Sequence, residues 1–96
     1  MAYYFVANIQ INDPEAYGRY LEGTSEVFDR YQGEYLAVDP EPQVLEGTWD
    51  YGRAVVIRFS TKDAFERWYY SEEYQEILYH RLKGADCDTI LVQGKD

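Results

Sequence analysis

The chain has 96 residues, a length that suits one domain spanning residues 1–96. A chain this short buries only about 60–65% of its unfolded surface, so its core is small. Eighteen acidic residues against nine basic ones give a net charge of −9, which argues against binding to nucleic-acid backbone or to an anionic membrane surface. No long apolar run marks a membrane span, and no signal-like segment opens the sequence. The one cysteine, Cys87, has no partner for an intramolecular disulfide, so the expected location is the cytoplasm. Eleven tyrosines stand against four phenylalanines. Tyrosine buries a large ring but needs a partner for its hydroxyl, which favours half-wet places such as pocket walls.

YYFVANIQI, Tyr3 to Ile11, reads as a strand. Tyr3, Phe5, Ala7, Ile9 and Ile11 form one apolar face, while Tyr4, Val6, Asn8 and Gln10 form a mixed one. A helix follows, with Asp13 as N-cap and Pro14 at its first position. Its buried stripe is Tyr17, Tyr20, Leu21, Thr24, Val27, Phe28 and Tyr31. Gly33 is expected to end this helix in the left-handed conformation.

EYLAV, Glu34 to Val38, is a second strand, interrupted by Asp39-Pro40-Glu41-Pro42 and resumed as extended chain over Gln43 to Gly47. Two prolines in the interruption place this strand at a sheet edge. After a turn at Thr48–Gly52, RAVVIRF, Arg53 to Phe59, has the β-branched run of a central strand. Ser60 or Thr61 caps the next helix, which carries Ala64, Phe65, Trp68 and Tyr69. Ser71, followed by Glu72 and Glu73, reads as a fresh N-cap, so the helix breaks at Tyr70–Ser71 and a further helix runs to Lys83. Gly84 stops it, and Asp88 to Gly94 forms the last strand.

Strand, helix, strand, strand, helix, strand is the ferredoxin-like βαββαβ order, an α+β fold with a four-stranded antiparallel sheet and helices on one face. Both faces of the central strands are apolar: Val55, Ile57 and Phe59 on one, Ala54 and Val56 on the other. A second copy packed sheet to sheet would cover the face without helices, so a homodimer is expected.

DPEAY (Asp13–Tyr17), YQG (Tyr31–Gly33), VLEGTW (Val44–Trp49), RAVVIRF (Arg53–Phe59), WYYSEEYQ (Trp68–Gln75), Arg81 and ILVQG (Ile90–Gly94) together resemble the family called domain of unknown function 1330. The resemblance covers nearly the whole chain, and W-Y-x-S-x-E-Y-Q is its most specific segment. It implies a ferredoxin-like protomer of the dimeric α+β-barrel superfamily and no established reaction. Three places depart from the family's pattern. Gln32-Gly33 stands for a frequent Gly-Gly, Asp39-Pro40-Glu41-Pro42 for a glycine-rich turn, and Arg58 for an acidic residue.

In the last helix, Tyr74, Leu78 and Arg81 share a face, with Ile77 beside them. A guanidinium is always charged and costly to bury alone, so something acidic should meet Arg81. An internal salt bridge is the simplest account. A ligand carboxylate or phosphate, walled by Trp68 and Tyr74, is the functional one, and a dimer contact is the third. The ligand-site candidates are therefore Tyr17, Trp68, Tyr69, Tyr74 and Arg81, holding a small organic anion between helices and sheet.

The alternative is a cofactor-independent or haem-linked monooxygenase. Monooxygenases of the superfamily use an Asn on the first strand and a Trp and a His on the second helical segment, and Asn8, Trp68 and His80 lie in roughly those places. A third reading is a non-catalytic interaction module, and whether the chain is an enzyme stays open. Ser71 has no triad spacing around it. One histidine and no C-x-x-C leave no metal motif, and no cofactor is expected.

Overall fold

The computed structural model describes residues 1–95. The elements are β1 (Tyr3–Ile11), α1 (Pro14–Arg30), β2 (Glu34–Asp39), β3 (Arg53–Phe59), α2 (Lys62–Tyr69), α3 (Glu72–Gly84) and β4 (Ala85–Gln93). The strands form one antiparallel sheet in the order β2-β3-β1-β4. This is the ferredoxin-like α+β fold, with its second helical segment split in two.

Register assigns the faces. Phe5 lies opposite Ile57 and Leu91, and Ala7 opposite Val55 and Thr89. Side chains alternate along a strand, so Phe5, Ala7, Ile9, Val55, Ile57 and Phe59 all point to one side. There they form the core with Tyr17, Tyr20, Val27 and Phe28 of α1, Phe65 and Trp68 of α2, and Tyr74 and Leu78 of α3. The other side carries Tyr4, Val6, Ala54, Val56, Ile90 and Val92, flanked by Asn8, Arg58 and Asp88. No helix covers it, and Ile90 is 61% exposed. The Cα trace spans only 15 Å in its thinnest direction, the depth of a single layer of helices on a single sheet.

Local chemistry explains the helix starts. Asp13 accepts from the backbone N–H of Glu15 and Ala16, and Thr61 from that of Ala64. Ser71 accepts from Tyr74 N–H at 3.0 Å and donates to the Trp68 carbonyl at 2.8 Å. Its hydroxyl thus stops one helix and starts the next.

Four local expectations change. The left-handed residue after α1 is Gln32 (φ 62°), not Gly33. Gly33 is needed for space instead, since a Cβ there would run into the rings of Phe28 and Phe59. Residues 43–47 form no strand. The edge strand ends at Asp39, and Leu45 beyond it is 84% exposed. β4 starts at Ala85 rather than Asp88. Its entry is fixed by Gly84, whose carbonyl accepts from Asn12 and Asp13 N–H, and where a Cβ would lie 2.6 Å from Tyr17 N. Finally, Leu21 is 41% exposed rather than buried. The helix layer covers the inner face of β2 only in part: Tyr35 meets the Phe28 ring of α1, with centroids 4.6 Å apart, yet Tyr35 and Val38, opposite the buried Ile57 and Val55, are each 45% exposed.

Candidate functional site

The space between helices and sheet has a dry end and a polar end. At the dry end Trp68 touches Phe5, Phe28, Phe59, Phe65 and Tyr74, with ring centroids 4.1–6.0 Å apart. These rings fill the space under α2. Toward the other end, Tyr17 and Tyr20 of α1, Arg81 of α3 and Arg53 of β3 surround a cavity of about 30 Å³. Ala7, Ile9, Val55 and Ile57 make its floor, and Leu21 and Tyr35 complete the wall.

The arginines divide sharply. Arg19, Arg30, Arg58 and Arg67 lie on the exterior, and each is within ion-pair distance of a carboxylate. Arg53 and Arg81 take part in none of the ion pairs among the described residues. Arg81 is only 3% exposed, and the Nε atoms of both are buried without a hydrogen-bond partner. The guanidinium carbon of Arg81 stands 5.7 Å from the Tyr20 ring centroid, and that of Arg53 stands 5.8 Å from Tyr17. Cation–π contact offsets part of the cost of burial but satisfies no N–H. The internal salt bridge expected for Arg81 is absent among the described residues. Acidic side chains are plentiful in this chain, but the core packs rings around the guanidinium.

Electrostatics keep the neighbours neutral and the arginine charged. Burial works against the charge of Arg81, but Coulombic attraction to Tyr74 and Tyr20 in their alkaline, phenolate forms outweighs it and holds its pKa above the ordinary value. Burial raises the Tyr17 phenol, with Arg53 pulling the other way. It raises Tyr20 well above the ordinary range and pushes Tyr74 up to about 12. The hydroxyls of Tyr20 and Tyr74 lie 2.8 Å apart, so these two phenols share a hydrogen bond. Cys87, half-buried beside Arg81, is raised by burial and is a thiol rather than a reactive thiolate.

Of the residues singled out in the sequence, Tyr17 and Arg81 line this cavity. Trp68, Tyr69 and Tyr74 do not: the first two pack at the dry end, and Tyr74 is fully buried between the ends. Tyr74 shares the α3 stripe of Arg81, but Trp68 and Tyr69 belong to α2, which packs on the other end of the sheet. Asn8, Trp68 and His80 point to three separate places. Asn8 has the opposite strand parity to Phe5 and so faces the uncovered side of the sheet, while Trp68 packs on Phe5. His80 lies in a surface groove with Arg19, Tyr79 and Lys83. Sequence reasoning missed Arg53, Tyr20 and Tyr35 as wall residues. Arg53 carried a signal, since it has the parity of Val55, Ile57 and Phe59 and must share their face. Among the described residues no group of three His, Cys, Asp or Glu side chains is placed to hold a metal ion, and no helix is long and apolar enough to cross a membrane.

The sequence profile of the family described as "Domain of unknown function (DUF1330)" matches residues 2–95. No curated protein is significantly similar to the chain. Among solved structures, the chain is similar to a protein of unknown function from Rhodopseudomonas palustris, with 19% identity and a TM-score of 0.78 over 99% of this chain and 83% of that one. It is similar to a dimeric ferredoxin-like protein of unknown function from Jannaschia sp. CCS1, with 12% identity and a TM-score of 0.76 over 98% and 100% of the two chains. It is also similar to SnoaB, a cofactor-independent oxygenase from Streptomyces nogalater, with 14% identity and a TM-score of 0.70 over 99% and 94%. At these identities the likeness is one of fold.

Proposed function

The chain belongs to the DUF1330 family, and we propose that it is a single-domain homodimer, each protomer of which binds a small organic anion in the cavity between α1, α3 and the sheet. One observation carries the reading: among the described residues, the two arginines at the cavity are the two without a carboxylate, in a chain rich in acidic side chains. A buried guanidinium left unpaired is costly, and such costs are kept where a ligand repays them. The site offers N–H and O–H donors over an apolar floor, so it suits a carboxylate or another oxyanion and repels a cation. If the anion is turned over, the Tyr20 hydroxyl is the group placed to give it a proton.

The uncovered sheet face supports dimerisation, as does the fold shared with the dimeric Jannaschia protein. Light scattering at micromolar concentration should give twice the chain mass. A single half-buried cysteine suits a reducing compartment such as the cytoplasm.

Asn8, Trp68 and His80, on which the oxygenase reading rests, face three separate places, and this favours the anion reading over the cofactor-independent and haem-linked versions. A purely structural module leaves the buried, unpaired Arg81 unexplained. Calorimetry with a panel of small carboxylates and phosphates tests the proposal. Wild type should bind at least one, and Arg81→Gln should bind it about tenfold or more weakly, the loss of a charge-assisted hydrogen bond. A panel that leaves wild type unmoved at millimolar concentration sinks the reading.

A further inference from the structure

We infer that the ligand is amphipathic: an anionic head the size of a carboxylate sits on Arg81, Arg53 and Tyr20, and an apolar body leaves the cavity between Leu21 and Tyr35. This rests on the anion reading above and narrows it.

Size comes first. A volume of about 30 Å³ holds about two waters, or one carboxylate group, and no carbon skeleton of any length. Any larger anion must therefore keep most of itself outside the enclosed part. The wall has one weak side. The floor and the α1 tyrosines are buried, whereas Leu21 and Tyr35 are 41% and 45% exposed. They stand at the margin of the helix layer, where Phe28 of α1 reaches one side of the Tyr35 ring, and Val38 continues the same exposed face of β2. Leu21 and Val38 are aliphatic and Tyr35 offers a ring, so what passes between them meets hydrocarbon.

The head is specified by a proton count. Tyr74 is 0% exposed, and the only hydrogen-bond partner of its hydroxyl among the described residues is the Tyr20 hydroxyl. A phenol can both donate and accept. If Tyr20 donated to Tyr74, the Tyr74 proton would be buried with no acceptor among the described residues, which burial penalises. Tyr74 therefore donates to Tyr20, and the Tyr20 proton is left for the cavity. Two guanidinium groups and one phenol then all present donors to the same space. An oxyanion head satisfies them, and an ammonium or amine head does not.

Straight-chain carboxylates from formate to octanoate, titrated into the full-length protein by calorimetry, provide the test, with alkylammonium salts of equal length alongside. Affinity should rise about threefold to fourfold per methylene once the chain reaches the Leu21–Tyr35 opening. Leu21→Asn should flatten that rise, Tyr20→Phe should weaken every member of the series, and the ammonium salts should not bind. Formate and acetate binding as tightly as the longer acids would overturn the amphipathic ligand and leave the anion site standing. No binding by any carboxylate, or octylammonium binding as well as octanoate, would remove both.

Discussion

The two ends of the helix–sheet interface are built from opposite materials. Around Trp68, aromatic rings pack on aromatic rings. Around Arg81, a buried and a half-buried guanidinium without an ion-pair partner among the described residues stand beside a phenol pair and a cavity. Tyr74 joins them, with its ring 4.1 Å from Trp68 and its hydroxyl 2.8 Å from that of Tyr20. One end supplies the stability that the other end costs. The difference teaches where function sits in a small core: at the end where burial is least favourable.

The largest test of this contrast is Trp68→Ala. Removing the ring at the centre of the dry end should destabilise the fold by about 3–5 kcal/mol, read by urea denaturation. A loss near that of a surface change would mean that the aromatic cluster is not the stabilising half.

Alkaline titration comes next. Tyr74 has its folded pKa raised to about 12, and Tyr20 is also raised, against an ordinary value of 10.0. A group whose pKa rises on folding contributes stability that is intact below its unfolded pKa and is lost as pH climbs through the folded value. Stability should thus hold up to about pH 10 and fall between about 10 and 12, with Tyr74 alone responsible for on the order of 2–3 kcal/mol. Tyr74→Phe should flatten the fall. Tyr20→Phe should cost more than Tyr74→Phe at neutral pH, because it strands the buried Tyr74 hydroxyl.

Arg81→Met should act in the other direction. Replacing an unpaired buried cation by a similar-sized apolar chain should raise stability by about 1–2 kcal/mol while abolishing anion binding. A loss of several kcal/mol would show that the charge has a structural partner and would erase the contrast between the two ends. The smallest effect belongs to the exterior pair Arg30–Glu73, where Arg30→Gln should leave the denaturation midpoint unchanged within error.

Much of the fold was legible in the sequence. Asp13, Thr61 and Ser71 cap their helices as their residue types suggest, and the split at Tyr70–Ser71 follows from one serine serving two helices. The edge position of β2 followed from its prolines. The site was less legible. Arg81 stood out because a cation on an apolar stripe is anomalous wherever it occurs. Its supposed companions Trp68 and Tyr69 belong to the dry end, because the break at Tyr70–Ser71 puts them on α2 while Arg81 lies about three turns along α3.

What the sequence determined by itself was local: strand parity, helix stripes, caps, and the fact that one arginine had to be buried. These depend on residues within a few positions of each other, where spacing along the chain fixes spacing in space. Tertiary structure decided the rest. Arg53 and Arg81 come from a strand and a helix 28 residues apart in sequence, and Tyr20 meets Tyr74 across a separation of 54. No pattern along the chain states that, among the described residues, no acidic side chain pairs with either of those two cations. That follows from how α1 and α3 dock on the sheet, and docking is settled by the packing of whole faces rather than by any one residue.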